Sequence, residues 1–181
     1  MERLEISIVP LSKALESAAT RRIDPEYFQK QHLADQALVE KRLNDFQSFA
    51  NLGLTIDASA FYPAIEEFYG TGNLPFLRVA DVDSVIDFQN CLRIPPELCD
   101  RFPTLARIHK GDIVLTKGGS IARVGLVTEE AAASRDLIFL NSSKLMAPDR
   151  IFIYLYAQTA FFNRLLQRSS SQTAQPHLRN L

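Results

Sequence analysis

Cysteine is scarce: only Cys91 and Cys99 occur in 181 residues. Two are too few for a disulfide framework, so a reduced, intracellular state is the default expectation. Neither has a histidine at metal-ligand spacing, and both are expected as core residues. Long apolar runs are also missing, since none approaches the roughly 20 residues of a membrane-spanning helix. The opening stretch MERLEISIVPLSKALESAATRR has no continuous apolar core before a cleavage signal, which argues against a signal peptide. The expectation is a cytoplasmic protein without membrane contact. No glycine-rich cofactor motif follows a predicted strand, and no acid pair with a lysine stands at nuclease spacing. No cofactor, metal or catalytic residue is therefore expected.

With 46% hydrophobic and 23% charged residues, the chain can bury a proper core. The expected class is mixed α/β, a twisted sheet packed by helices. The expected division is an N-terminal helical segment over 1–52 and a main domain over 53–181, which can pack as one. Net charge is −1, but its distribution is uneven. Residues 1–100 hold 9 basic and 16 acidic side chains, −7, whereas residues 101–181 hold 11 and 5, +6. That polarity suits a module that lays one face on phosphates and shows another to a protein partner. Scattered surface charge has the same signature.

The stretch Gly111 to Val127, GDIVLTKGGSIARVGLV, organises the rest. Two β-branched runs flank Lys117, Gly118, Gly119 and Ser120, and Arg123 stands at the far shoulder, a strand–loop–strand pattern. Cations beside flexible backbone N–H groups suit a polyanion, because both can converge on one phosphate. A plain hairpin with solvated charges has the same composition. Lys144, Arg150 and Arg168 are weaker candidates for phosphate contact. Ser120 with Lys117 could form a hydrolytic pair only if the lysine were buried enough to be neutral, which its glycines disfavour.

Elsewhere, Pro25 to Ala50 carries apolar residues at roughly helical spacing and predicts one long amphipathic helix of about 39 Å. Strands are expected over 74–80, 86–93, 112–116, 123–128, 136–140 and 144–147. The first four are expected in one sheet. A helix over 150–168, capped by Asp149, is apolar enough to need a sheet face to cover. The helix dipole alone is expected to account for Arg164 near its end. Asp81, Asp83 and Asp87 lack the glycine and glutamate of a calcium loop and read as turn acids. Asn73-Leu74-Pro75-Phe76 approaches an amino-methyltransferase signature but lacks its first proline.

Four ordered pieces resemble type I restriction-modification specificity subunits. They are Arg22-Ile23-Asp24-Pro25-Glu26-Tyr27, Pro75-Phe76-Leu77-Arg78-Val79-Ala80-Asp81-Val82, the Gly111–Val127 stretch, and SQTAQPHLRNL over Ser171 to Leu181. The resemblance covers nearly the whole chain. It implies a target recognition domain that binds double-stranded DNA, with methylation and cleavage supplied by a methyltransferase (modification) subunit and, through it, a restriction subunit. It also implies that the tail lies near DNA, where Gln172 and Gln175 are competent to bond adenine; His177 either meets a phosphate or is simply exposed, and exposure is the expectation. The family pattern continues into a long spacer helix, whereas this sequence stops at Leu181. A half-subunit that pairs with a second copy, or a fragment, is the expectation. A non-catalytic scaffold domain is the alternative of another class; a DNA methyltransferase or hydrolase fragment is the catalytic one.

Overall fold

The computed structural model describes residues 6–17, 25–42, 47–60, 62–118 and 122–169. Eight strands lie among them: β1 (Thr55–Ala58), β2 (Leu74–Leu77), β3 (Leu92–Ile94), β4 (Arg107–Ile108), β5 (Ile113–Thr116), β6 (Val124–Leu126), β7 (Ala131–Ala133) and β8 (Leu137–Asn141). The helices are α1 (Leu11–Ser17), α2 (Lys30–Lys41), α3 (Glu97–Arg101), α4 (Ala147–Ala157) and α5 (Ala160–Ser169). The class is mixed α/β, as expected.

The strands form two sheets rather than one. The first has the order β1-β8-β5-β6 and is antiparallel throughout. The second has the order β3-β2-β7-β4, with β2 and β7 parallel. Side-chain alternation explains the layering, since successive residues of a strand point to opposite faces. Ile113, Leu115, Ile138 and Leu140 pack with Ile153, Ala157, Phe162 and Leu166 of α4 and α5. Their neighbours Val114, Leu137 and Phe139 face the other way, onto Leu77, Ile108, Ala131 and Ala133 of the second sheet. The far face of that sheet, with Leu74, Phe76, Ala132 and Ile94, is covered by Ile65, Leu98 and Leu105. Both sheets are therefore buried on two sides. This is why β5 and β8 read as unbroken apolar runs instead of alternating ones.

Several expectations are corrected. Strands at 74–77 and 92–94 belong to the second sheet, while 113–116 and 124–126 belong to the first. Residues 86–91 form no strand: 88–90 are a turn, because the Asp87 carboxylate accepts from the Gln89 amide and the Asn90 side chain and holds the chain bent. Residues 143–145 are a turn instead of a strand. The continuous helix over 25–50 is replaced by a 3-10 turn, Pro25–Phe28, and the twelve-residue α2. Gln29, at ψ 146, interrupts the two, and the helix has ended by Arg42. Its only buried residue is Asp35, so no apolar stripe was available to hold a longer helix against the domain. The helix expected over 150–168 is divided at Gln158 and Thr159. Asp149 is not its cap: α4 starts at Ala147 after Met146, and Asp149 lies inside the first turn, where an acid suits the dipole.

Candidate nucleic-acid interface

The strand ends bring separate parts of the sequence to one pole of the domain. Lys117 follows the last residue of β5, and its amide donates to the Asp136 carbonyl at 2.9 Å. Across the hairpin, the Thr116 amide donates to the Arg123 carbonyl, and the Arg123 amide donates to Thr116 Oγ1, both at 3.1 Å. Ala122, at φ 67, makes this return possible. A buried non-glycine residue in the left-handed region is costly, and such strain tends to be kept where geometry matters.

The second sheet contributes from the same side. At the end of β7 the Ser134 amide donates to the Leu77 carbonyl at 2.9 Å, placing the Ser134–Asp136 turn beside Arg78. Arg78 folds onto Asp81, its Nε and Nη2 donating to the carboxylate at 3.1 and 3.2 Å. That bond raises the Arg78 pKa further above its usual value. The next residue, Val82, accepts from Arg123 Nη1 at 3.4 Å. The contacts close a circuit: Lys117, Asp136, Arg135, Ser134, Arg78, Asp81, Arg123 and back through Thr116. Four cations share this pole. Lys117, Arg123 and Arg135 form no ion pair among the described residues.

On the Arg78–Asp136 side of the circuit lies an open cleft of about 500 Å³ lined by Arg78, Ser134, Arg135 and Asp136 together with Tyr62, Tyr69 and the acid Glu66, with Ile65 and Phe76 also in its wall. The Arg135 amide donates to the Tyr62 hydroxyl at 3.4 Å. Burial pushes both phenols, Tyr62 and Tyr69, above their usual pKa, so they are neutral donors at physiological pH.

The sequence candidates separate as follows. Lys117 is half-buried, Gly118 buried and Arg123 exposed, all at this pole. Gly119, Ser120, Gln172, Gln175 and His177 lie outside the described residues. Lys144 is exposed but sits past the other end of β8, near Gly53, about 17 Å away along the strand at ~3.3 Å per residue. Arg150 and Arg168 are committed inside the fold. Arg150 Nη2 donates to the Ser142 and Leu145 carbonyls. Arg168 donates to the Tyr27 and His32 carbonyls and the Gln36 side chain, with its guanidinium 4.0 Å from the Tyr27 ring centre. Sequence reasoning missed Arg135 altogether and treated Arg78 only as part of a motif. The Arg78-x-x-Asp81 spacing was the available signal for the second, whereas nothing local marked Arg135.

The remaining motifs are structural. Cys91 and Cys99 are buried thiols, and burial pushes Cys91 up to about 11. Asp83 and Asp87 accept from nearby amides as turn acids, and Asp81 holds Arg78. Leu74 to Leu77 are all buried in β2, and the Asn73 carbonyl is taken by Arg93 Nη1 at 2.7 Å. Among the described residues no group of three or more His, Cys, Asp and Glu side chains is placed to hold a metal ion. No described helix is long and apolar enough to cross a membrane.

No protein-family model and no curated protein matches the sequence. Solved structures do match. A chain from a structure concerned with complex assembly and conformational transition of the type I R-M system aligns over 83% of this chain, with a TM-score of 0.53 at 14% identity. The two share a fold. The alignment spans 38% of that longer chain. A Type-I restriction-modification system S subunit from M. genitalium aligns over 70% of this chain and 29% of its own, with a TM-score of 0.45 at 14% identity.

Proposed function

We propose that this chain recognises DNA sequence as the target recognition component of a type I restriction-modification system. The observation that carries the reading is the pole where Lys117, Arg123, Arg135 and Arg78 converge from four separate segments on a fold shared with a type I R-M chain. Three cations free of ion pairs among the described residues are positioned to meet phosphates, whose contacts supply affinity and register on a duplex. The buried termini of β2, β5, β7 and β8 fix the points from which these cations emerge, which direct readout needs. The Gln172 and Gln175 side chains are proposed as base readers, and Gly119, Ser120 and His177 as further backbone contacts. Lys144 would reach only a duplex that extends along β8 past the pole.

In this reading the chain performs no chemistry. It acts in the cytoplasm with a methyltransferase subunit and, through that subunit, a restriction subunit. A whole specificity subunit carries two recognition domains, so a chain with one is proposed to work paired with a second copy or as part of a longer product. The test is duplex binding across a salt series, followed by selection from randomised duplexes. Affinity that falls linearly in log–log form with salt, with one enriched sequence, supports the reading; absence of binding at low salt overturns it.

A further inference from the structure

We infer that the cleft bounded by Arg78 and Arg135 holds a single unstacked nucleotide, with its base against Tyr62 and Tyr69 and its phosphate on Arg78 and Arg135. The inference rests on the DNA reading only for one of its two ligand sources. Its chemistry comes from the cleft itself, whose volume of about 500 Å³ is in the range of small-ligand sites. Tyr69 is stacked on Phe76, with ring centres 5.8 Å apart, so one aromatic wall is fixed before any ligand arrives. Fixed aromatic surface favours a flat base, because stacking then costs little ordering.

The polar groups point the same way. Ser134 is 7% exposed, and its hydroxyl has no hydrogen-bond partner among the described residues. A buried hydroxyl left unpaired is unfavourable, and turning about χ1 toward the cleft that Ser134 lines lets a ligand edge remove that cost. Asp136 adds an acceptor of the kind an exocyclic amino group bonds, and Arg135 forms no ion pair among the described residues. A carboxylate ligand would use the arginines and leave the tyrosine walls idle. An apolar peptide would bury Arg135 unpaired. A base within an intact duplex has both faces stacked and its pairing edge occupied, so the ligand must be unpaired. Two sources share this chemistry: a nucleotide displaced from a DNA strand, and a free nucleoside monophosphate.

The experiment separates them. The full chain is titrated into a fully paired duplex, into the same duplex with one bulged 2-aminopurine, and with dAMP in a calorimeter. Ser134→Ala and Tyr69→Leu are measured beside the parent chain, after thermal unfolding has shown them folded. Ser134→Ala removes a hydroxyl that holds no described partner, so it tests the cleft without breaking an internal bond. The bulged duplex is expected to bind about tenfold tighter than the paired one, with 2-aminopurine quenched, and both variants are expected to lose that preference. Heat from dAMP that disappears in the variants supports the free-nucleotide source of the same site. Equal affinity for both duplexes together with no dAMP heat overturns the inference, as does a preference that survives both substitutions. Failure of every duplex to bind strikes the DNA reading instead, and the dAMP measurement then decides the cleft alone.

Discussion

Arg164 and Asp35, 129 positions apart, meet in a two-pronged ion pair, Nε at 2.7 Å and Nη2 at 2.9 Å from the carboxylate. It ties α5 to α2, and Arg168 one turn later adds three more bonds to the same segment. The helix dipole therefore does not account for Arg164. The Arg164 hydrogen bond holds the Asp35 carboxyl below its usual 3.8. A carboxylate lowered in the folded state stabilises fully above the unfolded value and loses that contribution as pH falls through the lowered folded value. Asp35→Asn should thus lower the thermal denaturation midpoint by a few degrees at pH 7, and the gap to the parent chain should shrink as pH falls below 3.8 and through the lowered folded value. Thermal denaturation at pH 7 and in acid checks this; a gap that widens in acid would refute it.

Thr159 is where the predicted single helix breaks. Its Oγ1 accepts from the Phe162 amide at 3.2 Å, the pattern of a side chain capping the start of α5. The break lets Phe162 and Leu166 enter the same core as Ile153 and Ala157 of α4. Thr159→Ala should cost about 1 kcal/mol, whereas Thr159→Gly should cost little from the cap itself. Urea unfolding of both variants distinguishes a cap from a packing role, since loss of packing would make the glycine variant the worse of the two.

The hairpin of β5 and β6 was legible because β-branched runs and loop residues alternate there in a short span. So was β8, whose apolar run is bounded by Asp136 and Asn141. The division into two sheets was not legible. Apolar residues on both faces of a strand say that it is covered twice, but not by what. β7 is three alanines, weak as a strand signal, and its parallel pairing with β2 joins residues more than fifty positions apart. The split of the last helix was hidden because apolar residues continue across Thr159. α2 was overextended because charge, through Asp35, holds it rather than an apolar stripe. Arg135 joined the site only through topology: no local pattern connects it to Lys117, yet the pairing of β5 with β8 puts them side by side.

Gly111, which opens the central stretch, has φ +100, and a Cβ there would stand 2.3 Å from Arg150 Nη1. The guanidinium fills that space to reach the Ser142 and Leu145 carbonyls, while Ser142 Oγ donates to the Gly111 carbonyl at 2.6 Å. Gly111→Ala combines an unfavourable backbone conformation with displacement of Arg150, and should destabilise by about 2–3 kcal/mol. Arg150→Ala in the Gly111→Ala background separates the two causes. Partial recovery in the double variant identifies the clash; strictly additive losses would show that backbone strain alone matters.

Lys117, Arg123 and Arg135 stand at one pole and Lys144 at the other, so DNA placement can be read from four single alanine variants. Each phosphate contact removed should lower the slope of log affinity against log salt by about 0.9. Affinity should fall by a similar factor on every sequence, because phosphate contacts carry no base information. Lys117→Ala, Arg123→Ala and Arg135→Ala are expected to behave this way, with a smaller change for Lys144→Ala. Arg78→Ala should weaken binding further and also destabilise its turn, since it would leave Asp81 without the guanidinium. An equal loss for Lys144→Ala and Lys117→Ala would instead lay the duplex along β8. Loss of preference at one base with an unchanged salt slope would make the substituted residue a reader of bases, and the phosphate assignment would then fail for that residue.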